Sequence, residues 1–256
     1  LEGLQLGTIE ASITPAELYV GVDPRFQIPA VPALFDTMQD ARDTLDDPKV
    51  REHLLNLAAG KGIVGFALLV YGPQTINTRE LVEDLDDLAG KRIRVLASET
   101  ETGAVEALGA AAVPMPLNEV SAALQQGAID GLSTVIDVFV ALKTHDTAPY
   151  ILDTRLWYLN SIASVSKAWL DSLPPDLQEA VKQTGVDLED EMFQWQLEQD
   201  EANRATWKEQ GGTITPLSDE DREEAEAAVA QVTEAFLERH PELRETYDLL
   251  ANAGQD

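Results

Sequence analysis

The chain has 256 residues, 44% hydrophobic and 25% charged, enough to bury a core as one large domain or two modest ones. Asp and Glu number 46 against 18 Lys and Arg, and the net charge of −28 would repel a nucleic-acid backbone and an anionic membrane surface alike. Cysteine is absent, which excludes disulfides, thiol catalysis and thiolate metal sites, and the longest apolar run, residues 63–71, is broken by Gly65 and far too short to span a bilayer.

In chain order, residues 34–45 and 48–59 read as two short helices, and 62–71 as a β-rich, largely buried strand. An acid-rich loop, 79–89, leads to Gly90-Lys91-Arg92-Ile93-Arg94-Val95, a turn feeding a short strand whose alternation puts Arg92 and Arg94 on one face. Helices over 102–108 and 118–126, the second stopped by Gly127, alternate with strands near Ala112 and Asp130, a pattern that argues for a parallel α/β sheet. A further strand covers 158–166. Beyond Pro174-Pro175, Leu177, Val181, Thr184, Leu188, Met192 and Trp195 recur at helical spacing toward Trp207, predicting one long amphipathic helix stopped by Gly211-Gly212. Residues 213–215 form a short strand, and Ser218 caps a helix with Ala225, Ala228, Val229, Val232 and Phe236 on one face.

Motifs for enzymes are missing or misplaced. Gly60-Lys61-Gly62-Ile63-Val64-Gly65 has the letters of a dinucleotide fingerprint, but that motif must follow a strand and open a helix, and here the order is reversed. His53, His145 and His240 are scattered and in no metal-ligand spacing. The acidic clusters Asp46-Asp47, Asp86-Asp87 and Asp219-Glu220-Asp221 read as solvated loops. Acid spread over nearly every helix, with only seven Lys, resembles halophile surfaces, though a merely acidic surface would look the same. Arg94 stands out, because a guanidinium fixed at a strand's carboxyl edge offers a planar fork to a carboxylate; a structural ion pair is the alternative. Arg92 reads as structural.

Three linked motifs, the Arg94 strand, Gly109-Ala110 leading to Pro114-Met115, and Glu119-Val120 through Leu124-Gln125 to Asp130-Gly131, resemble the solute-binding proteins of tripartite ATP-independent periplasmic (TRAP) transporters. The likeness runs from Gly3 through Ile28-Pro29 and Leu34-Phe35 to Trp169-Leu170 and Pro174-Pro175. It implies a two-lobed α/β periplasmic-binding-protein fold with crossing strands and a long helix across both lobes. The lobes are expected at 1–72 with 160–200 and at 73–159 with 201–256. A strand, helix and strand ahead of Gly3, on the order of fifty residues, have no counterpart, so a fragment of a longer protein is expected.

The resemblance further implies an extracytoplasmic receptor, not an enzyme, that needs no cofactor or metal and holds an organic acid through Arg94. It would work as a monomer without entering the membrane and deliver the acid to a TRAP membrane permease. At two places where the family often adds polar contacts the chain has Gln74 and Thr134, one fixed positive charge fewer than a dicarboxylate favours; a monocarboxylate, hydroxylated or oxo-substituted, is expected. Trp157 is expected to wall the ligand or to be core, and Phe35 to sit at the cleft's rim. A sensory ligand-binding domain would share this pocket and is the alternative reading; an α/β enzyme would need a nucleophile, base or metal site absent from these motifs.

Overall fold

Ile63, Val64, Phe66, Val70 and Tyr71 suit a pleated backbone, and in the computed structural model, which describes residues 1–254, they form one of two long strands on which the fold is organised. Nine strands lie among the described residues: β1 (Ala11–Pro15), β2 (Ile63–Pro73), β3 (Thr75–Thr78), β4 (Arg92–Val95), β5 (Ala111–Pro114), β6 (Gly131–Thr134), β7 (Tyr150–Asp153), β8 (Tyr158–Ser166) and β9 (Thr213–Pro216). They make a three-stranded sheet, β1-β8-β2, and a six-stranded sheet, β5-β4-β6-β3-β7-β9. The long strands β2 and β8 pair antiparallel, with Gly72 opposite Leu159 and Pro73 opposite Tyr158. Just beyond that register the chain changes sheet: β2 runs through Gln74 into β3, and β8 follows closely on β7. These are the crossing strands.

Each sheet has its own core. Leu4, Tyr19, Phe26, Ile28, Leu54 and Ile162 pack around the first. Ile93, Val95, Val105, Trp157 and Val229 pack on one side of the second, and Leu124, Leu132, Phe139 and Trp207 on the other. Phe236, Leu237, Leu243 and Leu250, near the end of the chain, bury into the first sheet's core.

The long helix is one element, Pro175–Glu209, and touches both sheets. Its first half lies so close to β2 that a Cβ on Gly185 would stand 1.9 Å from the Phe66 carbonyl oxygen. One turn on, Glu189 accepts from the Leu68 backbone N–H at 2.6 Å. The second half is fixed to the other sheet. Arg204 forks onto Asp153 with two 2.9 Å hydrogen bonds, and Asn203 donates to Asp137.

The parallel pairing expected among the strands at Arg94, Ala112 and Asp130 is found, and the second sheet as a whole is mixed. β4 runs parallel to β5 and β6, and β7 to β9, but β3 is antiparallel to both its neighbours because it enters directly from β2. The first expected helix begins at Met38, where Thr37 accepts from the Asp40 N–H at 3.0 Å. The helix expected from 102 starts at Glu99, capped by Ser98. The short strands β1, β3 and β7 were not foreseen.

Candidate functional site

The motif residues of the sequence build one corner of the second sheet. Asp130 accepts from the backbone N–H, Nε and Nη2 of Arg92 at 2.9, 2.8 and 2.7 Å, tying β4 to the start of β6. Gly131 next to it is obligatory, since a Cβ there would stand 2.1 Å from the Asn77 carbonyl oxygen on β3. Arg92 is therefore a structural residue, as its partners predict.

Arg94 sits one strand step further along the same face in a different environment. Only 2% of it is exposed. Met115, whose own N–H donates to the Val95 carbonyl, turns its carbonyl oxygen back to accept from Arg94 Nε at 2.8 Å. Among the described residues neither Nη has a hydrogen-bond partner, and no carboxylate oxygen lies within 4.0 Å of the guanidinium. The fork is held at its stem and left open at its tip, facing a cavity of about 530 Å³. Thr134, at the end of β6, lines the same cavity.

Two buried carboxyl groups stand within electrostatic reach of that guanidinium. Glu17, 2% exposed, comes from the 3-10 turn Ala16–Tyr19 that follows β1. Glu101, 1% exposed, comes from the helix Glu99–Ala107 beside β4. Glu101 accepts from the Leu96 N–H and the Ser133 hydroxyl, both at 2.8 Å, whereas Glu17 Oε2 has no hydrogen-bond partner among the described residues. Burial, reinforced by Glu101, pushes the Glu17 carboxyl up to about 8, with Arg94 pulling the other way. Burial likewise pushes Glu101 up to about 7 against the bond from Ser133. Arg94 itself is pushed down from its ordinary value by burial, opposed by Glu101 and Glu17. Carboxyls held towards their neutral form leave the guanidinium without a full counter-charge, and a desolvated cation with free donors is a place for an anion.

The other residues singled out in the sequence do not reach this cavity. Gln74 is buried with both amide atoms unpartnered among the described residues, and so is Trp157 with its indole N–H; their backbones are joined, Gln74 N–H to the Trp157 carbonyl at 2.9 Å, but neither lines the cavity. Trp157 lies in the second sheet's core. Phe35 packs edge-on against Tyr158 at 6.3 Å and opens onto a separate cavity of about 660 Å³. That cavity's arginines are already engaged, Arg155 with Asp200 at 2.9 Å and Arg222 with the Thr154 carbonyl at 3.3 Å. Among the described residues no group of three or more His, Cys, Asp or Glu side chains is arranged to hold a metal ion, and no helix is long and apolar enough to cross a membrane.

Glu17 and Glu101 were missed. For Glu101 a signal existed, because Ser98-x-x-Glu101 is the spacing of a capping box, although here the carboxylate bonds the Leu96 N–H instead of the cap's own. For Glu17 none did, since one more acid in so acidic a chain reads as surface.

Known proteins resemble this chain in sequence and fold. Residues 1–240 match the family described as bacterial extracellular solute-binding protein, family 7. A solute-binding protein of Verminephrobacter eiseniae is 30% identical over 181 residues, 70% of this chain and 54% of its own. The 2,3-diketo-L-gulonate-binding periplasmic protein YiaO of Escherichia coli is 30% identical over 182 residues, 71% of this chain and 55% of its own. The chain thus spans little more than half the length of these two relatives. A TRAP periplasmic solute-binding protein of Xanthobacter autotrophicus, solved with bound β-D-galacturonate, superposes with a TM-score of 0.89 at 25% identity, covering 98% of this chain and 83% of that one. Another from Haemophilus influenzae, solved with L-gulonate, gives 0.92 at 22% identity, covering 98% and 82%. With the strand-turn-helix corner around Arg94, the crossing strands and the family match over nearly its whole length, the chain belongs to family 7 of the bacterial extracellular solute-binding proteins.

Proposed function

We propose that this protein is an extracytoplasmic receptor that binds a small organic acid with its carboxylate on Arg94 and delivers it to a TRAP-type membrane permease. The observation that carries this reading is the guanidinium fixed through Nε to the Met115 carbonyl while both Nη groups are free at a cavity. A planar fork so held offers a carboxylate two parallel hydrogen bonds without further ordering of the side chain. The cavity draws on both sheets, with Leu18 following β1, Leu159 on β8, and Arg94 and Thr134 on the second sheet. The lobe division proposed is accordingly one body on each sheet, residues 236–254 belonging with the first. Closing the bodies over the acid would exclude water, strengthen the Arg94 contact and favour the closed state by the ligand's tighter binding to it.

Arg94→Lys keeps the charge and loses the fork, and charged hydrogen bonds contribute about 1.5–3 kcal/mol each. Affinity for the acid should therefore fall at least about tenfold, and further in Arg94→Ala, where a desolvated carboxylate has no partner. Calorimetric titration of both variants, with circular dichroism to verify folding, measures this. A folded Arg94→Ala protein that binds its acid as tightly as wild type would place the site elsewhere.

A further inference from the structure

Resting on the reading above, we propose that the acid held at Arg94 is a monocarboxylate with an apolar body, an aliphatic or aryl chain and not a polyhydroxylated one. Ten of the twelve residues lining the cavity are apolar; the two with polar side chains are Arg94 and Thr134. The carboxylate would occupy the free Nη groups of Arg94, and the Thr134 hydroxyl could satisfy one more polar atom. Beyond these two, a ligand meets Leu96, Pro116, Val138 and Leu159.

A hydroxyl pressed against such a wall gives up its water and gains no partner, whereas a methylene gains from the same burial. The rim repeats the pattern. Leu18, from the segment after β1, and Leu117, from the turn after β5, are 47% and 42% exposed and line the same cavity. Large apolar side chains left open to water on two different elements are suited to covering an apolar body between them. A second carboxylate would find no other cation among the described residues that line the cavity. The ligand class is thereby set apart from the sugar acids bound in the solved relatives.

The test is calorimetric titration with hexanoate, phenylacetate, D-galacturonate and succinate, on wild type, Leu18→Asn and Arg94→Ala. Hexanoate or phenylacetate should bind at least about tenfold more tightly than galacturonate and succinate, the burial of two or more methylene groups being sufficient for that ratio. Leu18 is half exposed, so Leu18→Asn should fold, and it should weaken the apolar acid by about three- to tenfold while narrowing its lead over galacturonate. If galacturonate or succinate binds tightest, and Arg94→Ala abolishes that binding, the apolar-body inference is overturned while the Arg94 reading stands. Binding of none of the four acids, or binding indifferent to Arg94→Ala, would overturn both.

Discussion

Glu17 is a buried carboxyl through which the stability of the fold depends on pH. Its carboxyl is pushed up to about 8 from an ordinary 4.5, chiefly by burial and then by the nearby Glu101. A carboxyl whose folded pKa is raised binds more protons in the native than in the unfolded chain, so its contribution is fully present below the unfolded value and is lost as pH rises through the folded one. The window is therefore about pH 4.5 to 8. Asp23 and Asp130, held below their ordinary range by bonds from Arg25 and Arg92, act in the opposite sense at lower pH. The difference between wild type and Glu17→Gln isolates the effect. The variant, isosteric with the protonated acid, should match wild type near pH 4 and exceed it near pH 8 by at least about 1 kcal/mol, some 2–4 °C in melting temperature for a chain of this size. A gap that stays constant between those pH values would mean that Glu17 does not titrate in the folded protein over this range. Nothing in the sequence separates Glu17 from dozens of surface acids, whereas Arg94 stands out as a candidate because a rare cation at a strand's carboxyl edge is chemically conspicuous. On its ion-pair alternative the sequence is silent and geometry speaks: Asp130 stands at Arg92, and among the described residues no carboxylate oxygen stands within 4.0 Å of Arg94.

Among the elements, those with long periodic patterns were legible and those defined by contact were not. The helix Pro175–Glu209 and the strands β2 and β8 announce themselves by apolar spacing, because burial repeats along the whole of each. β3, four residues long, and β7, of equal length, carry too short a pattern and exist because neighbours pair with them. The same limit applies to Gly185. In an exposed helix interior a glycine reads as a mild fault, worth about 1 kcal/mol against Ala, yet here it lets the helix touch β2. Gly185→Ala should therefore destabilise the protein by about 1–3 kcal/mol or more through overpacking, despite the better helix propensity. Gly60 is the control: nothing lies within 4 Å of a Cβ built there, so Gly60→Ala should be neutral or stabilising by up to about 1 kcal/mol. Urea unfolding of the two variants measures both signs, and equal, small effects would mean that the helix can shift off β2 at little cost.

On the scale of the whole molecule, the proposed organic acid would approach a body of net charge −28. Among the described residues that line the cavity of about 530 Å³, Arg94 is the one charged side chain, and only 2% of it is exposed. The two scales respond differently to salt. The outer field reaches about 10 Å at 0.1 M ionic strength and about 3 Å at 1 M, while a buried contact is screened far less. Added KCl should therefore raise the association rate constant of an organic acid and leave its dissociation rate nearly unchanged, so that affinity rises with salt, the reverse of an exposed ion pair. Stopped-flow tryptophan fluorescence between about 0.05 and 0.5 M KCl reads the two rates separately. An association rate that falls with salt would mean that a local positive potential at the cavity mouth outweighs the net charge. The melting temperature of the free protein should climb over the same range, because the same screening relieves repulsion among surface carboxylates. A climb that persists past about 1 M, where screening is already confined to about 3 Å, requires something other than relief of repulsion, namely hydration and cation binding by the acidic surface, and would mark the charge excess as an adaptation to high salt.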